Sequence, residues 1–304
     1  MSSEISLSFR SITSPECFVG AILIMLIILG CFKIPSMRTP FGYLTLNQCT
    51  CQIIACLSVM IFFFVGLVLD YRPILEYSFI NGGISLCLLG IIVISYFLMS
   101  FNRLSAILFP FQYRYMFSSK PLACMIAASW TVPLAVSLYL LFAKDCGFQF
   151  YRYGWTFSTA PKREKCGSSL SLYLVLSQMP FTIATIVCDV ITLSFLVFWR
   201  ARVFKSKSAE TKRREMNFAR QVLAQGVVFL AHSGWYSKGR NLIPGFSEEW
   251  RIFLTTSFSS NLLHLFDAMV VFTCNLEFKD WLIKERKKQT SILVSTIHHL
   301  GGSH

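Results

Sequence analysis

Asn261, His264 and Asp267 recur at every third residue inside the last apolar run of the chain. That spacing sets them on one stripe of a helix. Such a trio can hydrogen-bond along the stripe, hold an ion or ordered waters, or act as polar glue between helices. Two further ionisable residues interrupt apolar runs, Asp189 and His232. A charged group in a lipid core costs at least about 2.5–3.5 kcal/mol, so each is a candidate functional residue. Metalloenzyme spacing is lacking: no His-x-x-x-His or Glu-x-x-His occurs, and no nucleophile stands beside a matching base. The chain is therefore not read as an enzyme, and no cofactor or metal is expected.

The elements that must position these groups are membrane helices. The 304 residues are 54% hydrophobic and 14% charged, whereas a soluble domain carries nearer a quarter charged residues. Apolar runs fall at about 17–32, 44–69, 79–101, 122–143, 170–198, 219–236 and 252–275. Crossing a hydrocarbon core takes about 20 such residues. The reading is an all-α integral membrane protein with seven transmembrane helices. It divides into a short extracellular N-terminus (1–16), a seven-span domain (17–275), and an amphipathic helix with a basic tail (276–304). The first run lacks a small-residue cleavage site and reads as a span that also serves as signal anchor. The first and sixth runs are short for a bilayer. This keeps a degenerate, non-signalling copy open as a competing reading. In the seventh run Phe253, Leu262, Leu263, Leu265 and Phe266 are expected to cover the remainder of the helix.

Charge sets the orientation. The N-terminus and the loops after even-numbered spans hold 10 basic residues; the other loops and the tail hold 18. The basic side is cytoplasmic by the positive-inside bias, so the N-terminus is outside and the C-terminus inside. The net charge of +13 is thus a matter of topology, and nucleic acid is not expected as a partner. Nine of eleven cysteines lie in or beside apolar runs. Cys146 and Cys166 sit in an outer polar loop, where a disulfide between them would persist. No Asn-x-Ser/Thr acceptor occurs.

In this orientation Arg103 closes the cytoplasmic end of the third span, within SFNRLSAILFPFQYRYMF (Ser100 to Phe117). A helix-end arginine can simply snorkel to headgroups. The surrounding motifs favour a second role. FGYLTLNQ (Phe41 to Gln48) opens span two, DCGFQFYRYGWTF (from Asp145) fills the second outer loop, and HLFDAMVVFTCNLEFKDWL (His264 to Leu282) ends span seven. In this order and spacing they resemble the nematode serpentine receptor class X chemoreceptors, a group of seven-transmembrane G-protein-coupled receptors. The resemblance runs over roughly residues 18–285.

The resemblance implies a rhodopsin-like bundle that senses an external small molecule and activates a heterotrimeric G protein. It implies a plasma-membrane protein, in the cilium of a sensory neuron. Asn102, Arg103, Pro110, Tyr113 and Arg114 would form the coupling face, and Glu215 would restrain Arg103, because Asn102 replaces the acid usual there. Ser78 stands where such receptors carry a cysteine at the outer end of span three, so a Cys146–Cys166 bond would tie loop to loop. Asp189, Asn261, His264 and Asp267 would form the intramembrane switch, with a hydrogen bond possible between His264 and Asp267. Gln178, Phe181, His232, Trp235 and Phe258 would lie at pocket depth. No acid stands in outer span three to meet an amine, so an apolar or weakly polar ligand is expected. After span seven, Leu276, Trp281 and Leu282 would rest on lipid and Lys284 to Lys288 on anionic headgroups. A transporter or channel using His264 and Asp267 is the rival class. No internal repeat of the kind many transporters show is found.

Overall fold

The computed structural model describes residues 3–62, 76–144, 146–151, 155–159, 166, 178–203 and 209–285. Side chains are described from residue 15 onward, apart from residue 36 and those at 158–159, 196–203 and 209–219. Seven helical spans run through them: α1 (Ser3–Lys33), α2 (Pro40–Ile61), α3 (Ser78–Leu108), α5 (Ser119–Leu138), α6 (Met179–Val203), α7 (Ala209–Leu242) and the pair α8 (Glu248–Thr255) and α9 (Ser257–Cys274). A short helix α4 (Pro110–Met116) follows α3. Another helix, α10, spans residues 276–285. Among the described residues four segments are long and apolar enough to cross a bilayer by length and composition: Pro15–Lys33, Pro40–Ile61, Ser78–Leu108 and Ser119–Ala143.

The helices that carry the first and sixth apolar runs are longer than the runs themselves. α1 has 31 residues and α7 has 34, against the 16 and 18 of the apolar runs. Helical hydrogen bonding does not stop where hydropathy does. In α7 the basic and polar residues at both ends extend the helix beyond the hydrocarbon-like stretch. Among the described residues the first span carries a membrane-length apolar segment, Pro15–Lys33, whereas α7 is not one of the segments apolar enough by length and composition.

Pro40 starts α2 at the position where a missing N–H costs nothing, and Thr39 caps it by accepting from the Gly42 N–H at 3.4 Å. Pro110 starts α4 in the same way. The seventh span is broken: Thr256 sits at φ −113°, ψ −90° between α8 and α9. Its hydroxyl donates back to Ile252 O at 2.7 Å.

α3 is the central helix, touching α2, α5, α6 and α7, while α1 packs on α2 and closes the ring against α9. Of the apolar residues expected to cover the rest of span seven, Phe253 and Leu263 are buried at 0% and 4% exposure. The polar stripe of α9 does face the other helices. Asn261, His264 and Asp267 are all buried, while Phe266 and Met269 face out.

One end of the bundle carries an antiparallel hairpin, β1 (Phe148–Tyr151) paired with β2 (Thr156–Thr159), Phe148 opposite Thr159. It is seated on α3. The Phe150 N–H donates to Ser78 Oγ at 3.2 Å. A Cβ at Gly82 would lie 2.2 Å from Phe148 O, so only glycine admits so close an approach. Across the bundle, Ser257 Oγ donates to Trp155 O at 2.7 Å, pinning the break in span seven to the hairpin. Trp155 holds a φ of 48° and is buried against Phe253 and Phe150.

Candidate functional site

Under the hairpin lies a cavity of about 180 Å³ bounded by α2, α3, α7 and the start of α9. Phe148 and Phe157 of the hairpin cover it, and His232, Ser260, Asn261 and His264 stand on one wall. Ser260 Oγ and His232 Nε2 are 3.4 Å apart. Of the residues expected at pocket depth, His232 lines this space; Asn261 and His264, expected in the switch, line it too. The other four lie elsewhere. Phe181 packs on Phe97 of α3, ring centroids 5.5 Å apart. Trp235 Nε1 donates to Leu254 O at 3.0 Å, and Phe258 packs against Phe253 at 5.9 Å. Gln178 stands just before α6, its amide nitrogen buried.

Deeper in the bundle, Asp267 Oδ2 collects three donors. They are Gln48 Nε2 at 2.9 Å, Gln52 Nε2 at 2.5 Å and the Tyr96 hydroxyl. Asp267, Gln48, Gln52 and Tyr96 are each no more than 2% exposed. A buried carboxylate needs such donors; the other oxygen, Oδ1, is buried without a hydrogen-bond partner. His264 is not among its partners, and His264 Nδ1 has none of its own. The hydrogen bond considered between His264 and Asp267 is therefore not made. One turn of helix points the two side chains at different neighbours, His264 to the cavity and Asp267 to α2 and α3. Gln48, Gln52 and Tyr96 were not singled out in the sequence. Gln48 and Gln52 do carry a signal, as two amides four residues apart in a span that must bury one face.

Cavity and carboxylate are joined by one contact. Phe229 of α7 lines the cavity and stacks on the Tyr96 ring, centroids 4.4 Å apart. Beside Tyr96, Ser95 Oγ accepts from Asn47 Nδ2 at 3.0 Å, and Asn47 Oδ1 accepts from Trp130 Nε1 of α5 at 2.7 Å. Asp189 of α6 faces Gly226 of α7. A Cβ at Gly226 would lie 2.3 Å from Asp189 Oδ2.

Arg103 is 25 residues beyond Ser78, or about 37 Å along α3 at 1.5 Å per residue. At that far end the Arg103 guanidinium lies over the Phe41 ring, 4.1 Å from its centroid, a cation–π contact. Asn102 is 1% exposed and donates to the Tyr113 hydroxyl at 3.2 Å. Arg114 and Pro110 are exposed on α4. Glu215 falls within α7, and its side chain lies outside the described residues. Nearby, Asn275 Nδ2 donates to Gln221 Oε1 at 3.2 Å, tying the foot of α9 to α7. On α10, Phe278 is wholly buried, so this helix docks on the bundle as well as presenting a free face. Cys146 and Cys166 are both buried in one small cluster with Leu86 and Leu140, and no disulfide joins them among the described residues.

A seven-span bundle, a β-hairpin over a polar-walled cavity and a half-buried arginine at the other end together define a seven-transmembrane receptor fold. Squid rhodopsin has the same fold: its crystal structure superposes with a TM-score of 0.75 at 14% identity, covering 92% of this chain and 85% of that one. The serpentine type 7TM GPCR chemoreceptor Srx family matches residues 15–275. Serpentine receptor class X-43 of Caenorhabditis elegans is 42% identical over 273 residues, 90% of this chain and 85% of the relative. Serpentine receptor class X 45 of the same organism is 22% identical over 280 residues, 86% and 77% of the two chains. The chain belongs to the Srx family of serpentine chemoreceptors and is a multi-pass membrane protein.

Proposed function

We propose that this protein is a chemosensory receptor that binds an external small molecule in the cavity under the hairpin and activates a heterotrimeric G protein at the Arg103 end. The observation that carries the reading is the position of Phe229. It forms part of the cavity wall and stacks on Tyr96, whose hydroxyl is bonded to Asp267. A ligand that displaces Phe229 therefore acts on a contact shared by α2, α3, α7 and α9. An agonist shifts the bundle only by as much as it prefers the active arrangement, and a few kcal/mol of difference suffices. At the coupling face Arg103, Asn102, Tyr113 and the exposed Arg114 would meet the partner once α7 moves.

The hairpin end faces outside on this reading, and the 18 basic residues on the opposite side support it. Cys146 and Cys166, in one buried cluster, would form a disulfide there. On this reading the protein works in the plasma membrane, in a sensory cilium, which a chemoreceptor role would require.

The test is expression in cells that report G-protein activation, with an N-terminal tag to verify surface delivery. Wild type and Arg103→Ala are compared across volatile and water-soluble odorants. A response that Arg103→Ala abolishes without loss of delivery supports coupling through Arg103. Equal responses in both forms return Arg103 to a helix-end anchor.

A further inference from the structure

The two walls of the cavity differ in kind. α2 and α3 present mostly hydrocarbon, Val59, Leu89 and Ile92 among it, whereas α7 and α9 present His232, Ser260, Asn261 and His264. Among the described residues no Asp, Glu, Lys or Arg lines the space. An ammonium or carboxylate entering it would shed its hydration and meet no opposite charge. Neutral ligands avoid that cost.

The polar wall is incompletely satisfied. Asn261 and His264 are 4% and 7% exposed, and neither Asn261 Nδ2 nor His264 Nδ1 has a hydrogen-bond partner. An amide nitrogen can only donate, and a buried donor left unpaired is costly. A ligand oxygen at this wall would remove that cost. Size narrows the choice further. A dry cavity of about 150 Å³ holds benzene, so one of about 180 Å³ admits a ring with a short polar substituent.

We infer that the cavity takes a neutral, ring-sized molecule, its hydrocarbon face on α2 and α3 and a carbonyl-type oxygen accepting from the α9 wall. This rests on the reading of the cavity as the ligand site. It adds the chemical class and the residues that choose it.

The test uses the purified full chain in detergent, without G protein, near neutral pH. Its unfolding temperature is followed while acetophenone, ethylbenzene, 1-phenylethylamine or phenylacetate is titrated. Acetophenone is expected to raise it saturably. Ethylbenzene is expected to bind about three- to tenfold more weakly, the worth of one net hydrogen bond. The charged pair should give no shift. Stabilisation by the amine or the carboxylate that matches the ketone, equal effects of ketone and hydrocarbon, or no shift with any of the four overturns the inference. Asn261→Leu, close in volume, is expected to bring the ketone down to the hydrocarbon's affinity. The wild-type series decides the question even where that variant folds poorly. A receptor that binds acetophenone yet activates nothing in cells defeats the coupling reading and leaves the ligand class standing. One that signals to the amine does the reverse.

Discussion

Gln52 on α2 and Asp267 on α9 stand 215 positions apart in sequence and are joined by a 2.5 Å hydrogen bond in the middle of the bundle. With Gln48 and Tyr96 on the same carboxylate oxygen, Asp267 binds three spans at one point. Asp267→Leu leaves three buried donors without an acceptor, each worth about 1–3 kcal/mol. A fall in unfolding temperature larger than that of Gln52→Leu is expected in detergent-solubilised protein. Equal falls would mean that the carboxylate is not the common acceptor.

At the far end of α3, Tyr113→Phe removes the acceptor of the buried Asn102 amide. The expected cost is about 1–2 kcal/mol, taken from the arrangement that holds α4 against α3. Basal G-protein activity in cells should rise above wild type at equal surface level. An unchanged basal level would show that the Asn102–Tyr113 bond does not restrain the coupling face.

Gly226 and Asp189 are in close approach across α6 and α7. Gly226→Ala is expected to destabilise the protein by about 1–3 kcal/mol through overpacking. Asp189→Ala should relieve that clash. A double-mutant cycle on thermal stability should then show coupling of about 0.5–3 kcal/mol. Simple additivity would place the cost of Gly226→Ala elsewhere.

Gly82→Val drives a side chain into Phe148 O and should lift the hairpin off α3. Faster cleavage of the hairpin by added protease, with surface delivery retained, is the expected readout. Wild-type cleavage rates would mean that Ser78 and the Trp155–Ser257 bond alone hold the hairpin.

Cys146→Ser and Cys166→Ser should give the same loss of surface protein as the double variant, since a disulfide needs both sulfurs. Alkylation before and after reduction counts the thiols directly. Two additional thiols on reduction support the bond, and none removes it.

The long apolar runs made the seven helical spans legible from sequence, and the basic loops between them gave the expected sidedness. Length and charge per segment are local quantities that the bilayer reads one segment at a time. The stripe Asn261, His264 and Asp267 was legible for the same reason, since helical periodicity needs only one helix. Its partners were not. The residues that hold Asp267 lie 171 to 219 positions away, and no local pattern distinguishes Tyr96 from the other aromatics of α3. Helix ends went wrong where hydropathy stopped before hydrogen bonding did, as in α1 and α7. The break at Thr256 was hidden because part of what fixes it, the Ser257 bond to Trp155 O, comes from a distant segment. Sequence alone thus determined which segments cross the membrane and which faces carry polarity. Only the packed bundle decided that Asp267 turns to α2 and α3 while His264 turns to the cavity. Burial makes each polar atom seek a partner, and that partner is chosen in three dimensions.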